Sequence, residues 1–175
     1  EAKSRILRRG LERWGQDDPA AAMAWAVKNL VAVEQENLIP DAILGRWADQ
    51  DVASASEWVA ALPEGTLRVQ TVATLVSSWA DHDLVAAGEW LKKQKRGESR
   101  DRAMQQYATH VFEIDPEAAL IWAESIENEY TRLSEVERLA RRFLHSEPAK
   151  AKRWIANSSL PPEKQAELLK AADQK

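Results

Sequence analysis

In the stretch RVQTVATLVSSW, apolar residues fall at Val69, Val72, Leu75, Val76 and Trp79, with small or polar residues between them. Intervals of three and four set all five on one face of an α-helix. Asp83 follows, and beyond it Ala87 and Trp90 stand three apart, again sharing a helical face. The pattern predicts two helices meeting at an acid.

The same arrangement is written five times. Its copies are WGQDDPAAAMAW from Trp14, WADQDVASASEW from Trp47, WADHDLVAAGEW from Trp79, VFEIDPEAALIW from Val111 and FLHSEPAKAKRW from Phe143. The central acids are Asp18, Asp51, Asp83, Asp115 and Glu147, at steps of 33, 32, 32 and 32 residues. Four places after the acid stands Ala22, Ala55, Ala87, Ala119 or Ala151. Seven places after it stands Trp25, Trp58, Trp90, Trp122 or Trp154. Four places before it is a large apolar residue: Trp14, Trp47, Trp79, Val111 or Phe143. A fixed period of this length is the signature of a repeat architecture.

Backbone chemistry explains the spacing. Aspartate is a preferred N-cap, because its carboxylate accepts from the free N–H groups of a helix's first turn. Proline is favoured directly afterwards, where no N–H is needed, and Pro19, Pro116 and Pro148 occupy that place. A helix therefore starts at each acid. The small alanine admits a neighbouring helix and the indole covers the space beside it, so the tryptophans are expected to be inter-helix packing residues, with ligand stacking as the minor alternative. Breakers at LPEG, RGES and SSLPPE separate the units. Each unit is thus two helices of about three turns, and stacking on neighbours hides the apolar face that one unit cannot hide alone.

The expected fold class is all-α: an α-solenoid of about five stacked helical hairpins, about ten helices in all. It occupies 1–175 as a single helical-repeat domain. EAKSRILRRGLERW supplies the first helix, and residues 162–175 supply a C-terminal capping helix.

The chain resembles tetratricopeptide-repeat-like (TPR-like) α-solenoids. The resemblance rests on the hairpin period, the Asp-Pro pairs in DDP and IDP, and a tryptophan six residues after that proline at Trp25 and Trp122. It implies a right-handed superhelix with a groove for a peptide or protein. The period is 32 rather than the family's usual 34, and the Leu-Gly pair expected soon after the tryptophan is absent. No ligand residue of the family carries over.

Composition narrows the function. A net charge of −4 opposes general nucleic-acid binding, which needs a surplus of Lys and Arg. No segment approaches the roughly 20 apolar residues that cross a bilayer. With no cysteine there are no disulfides or thiolate metal sites, which suits cytoplasm and periplasm alike. Glu1 in place of a methionine reads as a processed chain or a piece of a longer one.

Chemistry-bearing motifs are sparse. His82, His110 and His145 fall in different units, and His110 with Glu113 has a spacing that could bring two metal ligands together, which is not yet a site. No phosphate loop or nucleophile elbow occurs. Neither cofactor nor metal is expected. KKQKRGESRDR, from Lys92 to Arg102, carries six positive and two negative residues at a loop, where charge is usually just solvated. Arg68, Arg100 and Arg132 share one register. They read either as a ladder for an acidic partner segment or as local ion pairs worth little when exposed.

The fourth unit departs from its sisters. Phe112 stands where others hold Gly15, Ala48, Ala80 and Leu144; Ile114 where others hold Asp17, Gln50, His82 and Ser146. Leu120 and Ile121 replace Met23 and Ala24, Ser56 and Glu57, Gly88 and Glu89, or Lys152 and Arg153. Phe112, Ile114, Leu120 and Ile121 form either an exposed apolar partner or self-association patch, or added packing.

The expected function is therefore a non-enzymatic helical-repeat scaffold binding a protein or peptide. Its contacts would be that patch and Arg68, Arg100 and Arg132. The rivals are a superhelical accessory domain of a larger, cell-envelope enzyme, and a single-stranded nucleic-acid binder using Trp and Arg.

Overall fold

A computed structural model describes residues 2–173, with side chains from 4 to 172. Eleven helices and no strand occur among the described residues. They are α1 (Ala2–Asp17), α2 (Pro19–Asn29), α3 (32–50), α4 (Val52–Ala61), α5 (Thr66–Ala80), α6 (Leu84–Lys92), α7 (Glu98–Phe112), α8 (Pro116–Glu124), α9 (Glu129–Ser146), α10 (Pro148–Asn157) and α11 (Pro162–Asp173). The expected closing helix is present as α11; residues 174 and 175 of its expected range lie outside the described residues.

The five acids stand at five elbows, α1/α2, α3/α4, α5/α6, α7/α8 and α9/α10, with one backbone conformation. Their φ lies between −150° and −138° and their ψ between 70° and 97°. At every elbow the acid's amide donates to the carbonyl four residues back at 2.8 Å, and its carbonyl accepts from the alanine four residues on at 3.0–3.1 Å. The acid is thus the last acceptor-seeking amide of one helix and the first carbonyl of the next. Four carboxylates complete the cap, Asp18, Asp51, Asp83 and Asp115 accepting from the amides of Ala21, Ser54, Ala86 and Ala118 at 2.9–3.1 Å. Glu147, one methylene longer, makes no such cap and instead pairs with Lys150 Nζ at 2.5 Å.

With the helices fixed this way, Ala22, Ala55, Ala87, Ala119 and Ala151 are all completely buried. At such fully buried positions a larger side chain carries the cost of overpacking.

The step from Asp18 to Asp51 is one residue longer than the rest. Among the described helices, α3 alone contains a π turn, Ile39–Leu44, between the α-helical segments Ala32–Leu38 and Gly45–Gln50. Pro40 lies in that turn and has no amide to donate. A π turn takes up one more residue than an α turn, so the register on either side is preserved, and Ile39, Ala42, Ile43 and Leu44 remain fully buried.

The packing divides the chain into two compact units, Glu1–Ala103 and Met104–Lys175. The first contains α1 to α6 and the start of α7. Its interior is built on Ile43, Leu75, Val76 and Leu91. Gly15 admits a close approach there: a Cβ would lie 3.2 Å from the Ala42 carbonyl oxygen. The second contains the rest of α7 and α8 to α11, around Leu120, Leu139, Phe143, Ile155 and Leu168.

The caps make a two-sided prediction. Asp83→Ala should lower unfolding free energy by about 1 kcal/mol, whereas Glu147→Asp should raise it by up to about 1 kcal/mol by supplying the missing cap. Denaturant titration of the two variants checks this, and a destabilised Glu147→Asp protein would contradict it.

Candidate interaction surface

Each elbow brings two aromatic rings together in the first three hairpins. Trp14 meets Trp25, Trp47 meets Trp58 and Trp79 meets Trp90, with ring centroids 6.0, 6.3 and 6.2 Å apart and interplanar angles of 53°, 48° and 48°. These are the tilted geometries favoured by the ring quadrupole. In the fourth hairpin Val111 replaces the first tryptophan, and Trp122 finds Tyr107 instead, edge-on at 4.5 Å. The indoles are less enclosed than packing alone requires. Trp47 is buried, Trp58, Trp79, Trp90, Trp122 and Trp154 are half-buried, and Trp14 and Trp25 are exposed to 37% and 36%.

The register sorts the unit-four residues into two kinds. Three places before the acid, Gly15, Ala48, Ala80 and Phe112 are buried; five places after it, Met23, Ser56, Gly88 and Leu120 are buried. Phe112 and Leu120 therefore stand at interior positions and form no surface patch, contrary to expectation. The Phe112 ring is further covered by the Arg142 guanidinium, 4.3 Å from its centroid, and Arg142 also pairs with Glu113. Sequence alone does not separate residues five and six places along a helix, though they point about 100° apart.

Ile114 and Ile121 are different. One place before the acid and six places after it, all five hairpins present an exposed residue. At the first of these positions Gln50 donates to the Gln16 carbonyl at 2.8 Å, and His82 Nε2 lies 3.2 Å from Asp49 Oδ1. At the second stand Ala24, Glu57, Glu89 and Arg153. Ile114 is exposed to 75% and Ile121 to 62%. Two β-branched side chains thus occupy solvent positions where sister hairpins mostly carry polar groups.

The arginine register is a structural joint at two of its three members. Arg68 is only 4% exposed. Its Nη1 donates to the carbonyls of Val59, Ala60 and Leu62, at and just beyond the end of α4, at 2.7–3.2 Å. Its Nε donates to Glu64 Oε1 at 3.1 Å, and its Nη2 to Gln94 Oε1 at 3.2 Å. A cation here satisfies orphan carbonyls and opposes the helix dipole. Arg132 Nη1 donates likewise to the carbonyls of Ile126 and Glu127, just beyond α8. Neither forms a rung of an open ladder. Arg100 makes no such bond among the described residues, and its Nε is buried without a partner.

Among the described residues, no three His, Cys, Asp or Glu side chains are grouped to hold a metal ion. No described helix is long and apolar enough to cross a membrane. Glu113, half of the His110/Glu113 pair, is taken by Arg142. A groove of about 540 Å³, which the sequence gave no sign of, runs past Leu144, Pro148, Leu168 and Ala171, with Arg141 and His145 beside them. Arg141 is tied to Glu137 and Glu167, each at 2.8 Å, and both carboxyls are held below their ordinary range chiefly by that guanidinium. No family model, curated protein or solved structure matches this chain.

The Asp51 carboxyl is held below the ordinary aspartate range, first by the Ser54 hydroxyl at 2.6 Å and then by the Ser54 amide. A carboxylate pKa lowered by folding contributes stability above the unfolded aspartate's titration, and that contribution is lost as pH falls through the folded value. Ser54→Ala should move the Asp51 titration upward in an NMR pH series, and an unmoved midpoint would contradict the assignment. Arg68→Ala, which strands several carbonyls at once, should cost on the order of 3 kcal/mol, against about 1 kcal/mol for Arg132→Ala. Equal costs by denaturant titration would contradict the difference in burial.

Proposed function

We propose that this chain is a TPR-like helical-repeat scaffold, an α-solenoid of stacked hairpins with a right-handed superhelix, that holds a protein or peptide partner and performs no catalysis. The observation that carries the reading is the exposure of Ile114 and Ile121 at positions that the elbow register turns toward solvent. Isolated exposed apolar residues are ordinary. Two on one hairpin, both at positions where sister hairpins mostly present polar groups, are more economically explained by a partner that covers them. Burying an isoleucine side chain is worth about 1.5–3 kcal/mol, so two give a useful increment once the costs of association are subtracted. The five-fold elbow supports the scaffold part of the reading, since a period of this length belongs to stacked helical hairpins.

The test replaces Ile114 and Ile121 together with glutamate. Because both side chains already face solvent, circular dichroism and the unfolding midpoint should stay within error of the parent. Specific capture of a partner, or self-association measured by sedimentation, should fall at least tenfold, the equivalent of about 1.4 kcal/mol. Undiminished capture by a folded double variant would remove these residues from the interface.

A further inference from the structure

Counted back from the elbow acid, one face of α1 lacks the cover that its sister helices have. The positions twelve, eight and four before the acid share that face, because residues four apart on a helix are neighbours. In α1 they are Ile6, Gly10 and Trp14, all exposed, Ile6 to 71% and Trp14 to 37%. A Cβ added at Gly10 would meet nothing within 4 Å. At the first two positions α3, α5, α7 and α9 are all buried, with Ile43, Leu75, Tyr107 and Leu139 in the place of Gly10. At the third, Trp47, Val111 and Phe143 are buried and Trp79 is half-buried.

The sister joints show what kind of cover is missing. A Cβ at Gly15, on α1, would lie 3.4 Å from Ile43 Cα, so Ile43 packs on the preceding hairpin. α9 likewise meets α7, the corresponding helix of the hairpin before it. Arg138, nine places before its acid, donates from Nη2 to Thr109 Oγ1 at 3.0 Å. It also holds Glu135 of its own helix, a place that Ile6 takes in α1. Arg142, five places before the acid, pairs with Glu113 and lies over the Phe112 ring. α1 carries arginine at the same two places, Arg9 and Arg13. Both are exposed, and neither has a hydrogen bond or ion pair among the described residues, although Glu12 and Asp17 stand about a turn away from them. Arg8, by contrast, is engaged by Asp41 at 3.5 Å and by the Asn37 carbonyl at 3.0 Å. α1 thus repeats one half of the α7/α9 joint, whose other half is an apolar side chain followed directly by a carboxylate.

We propose that α1 docks an amphipathic helix of a partner protein, which lays apolar side chains on Ile6, Gly10 and Trp14 and offers carboxylates to Arg9 and Arg13. This rests on the scaffold reading and deepens it, using none of the residues assigned there. The docked helix continues by one step the packing that joins α3 to α1 and α9 to α7. Its charge is set by the two arginines, because a guanidinium fork matches a carboxylate. Trp25 widens the apolar area: its ring lies 6.0 Å from that of Trp14, and it is exposed to 36% where Trp58, Trp90, Trp122 and Trp154 are half-buried. A second copy of α1 does not fit, since the pairing would put four arginines into one joint, and like charges juxtaposed across an interface repel.

The probe is a synthetic helical peptide of leucine, alanine and glutamate, about three heptads long, in which each leucine is followed directly by glutamate. It is titrated into the full isotope-labelled chain while the indole N–H signals are followed by NMR. Trp14 and Trp25 should shift saturably, with Trp58 and Trp90 unmoved. Arg13→Gln should weaken binding about tenfold, the equivalent of about 1.4 kcal/mol. Ile6→Asp should weaken it at least as much and leave the unfolding midpoint unchanged, because that side chain already faces solvent. Gly10→Leu should strengthen it by supplying the bulk that Leu75 and Leu139 have at this place. No saturable shift of Trp14 in the parent, or undiminished affinity in the Arg13 and Ile6 variants, overturns the inference. Equal binding of a peptide with lysine for glutamate, tighter binding of phosphatidylglycerol vesicles, or a dimer in sedimentation that Ile6→Asp dissolves, overturns the identity of the partner. Replacing Ile114 and Ile121 with glutamate should leave the Trp14 shift unchanged, so the two readings fail separately.

Discussion

The elbow acid closes two helices at once. Its amide ends one helix by bonding to the carbonyl four residues back, and its carbonyl begins the next by accepting from the alanine four residues on. These bonds hold φ and ψ within narrow limits at all five elbows. The angle between paired helices follows from them. So does the burial of the five alanines and the meeting of tryptophans at 6.0–6.3 Å in the first three hairpins. A side chain at a given offset from the acid therefore meets much the same surroundings in each hairpin.

That constancy is what gives the exceptions meaning. Once the elbow fixes which offsets face inward, a large residue inward is packing and a large residue outward is an exposed contact. Phe112 and Leu120 belong to the first kind, Ile114 and Ile121 to the second. The same logic applies at the loops. Glu64 and Arg68 neutralise each other while tying α5 to the end of α4. Arg96 stands at the matching position of the next loop, which follows the same backbone plan through Gly97.

Much of this architecture was legible in the chain because it rests on local chemistry. Aspartate before a helix, proline directly after it and alanine one turn on act within a few residues, and their spacing gives the helix starts without tertiary information. The 33-residue step and Pro40 also foreshadow the π turn of α3, a signal the periodicity carried but did not interpret. Long-range placement was not legible. The carbonyls that receive Arg68 come from a preceding helix and loop, so its burial depends on how the chain returns after Gly65. Residues at adjacent offsets, such as Leu120 and Ile121, look alike in sequence and differ only in which way the elbow turns them. Glu147 was read as a cap by analogy with aspartate, yet its longer side chain reaches Lys150 instead.

Native-state amide hydrogen exchange at Ala22, Ala55, Ala87, Ala119 and Ala151 probes the shared constraint most directly, since each of these amides donates to an elbow carbonyl. Protection at all five comparable to that of the helix interiors, with the fifth retained despite its uncapped glutamate, is the predicted result. Exchange as fast as at frayed helix ends would mean that the elbows are not closed. The common register of the five hairpins would then have no physical basis.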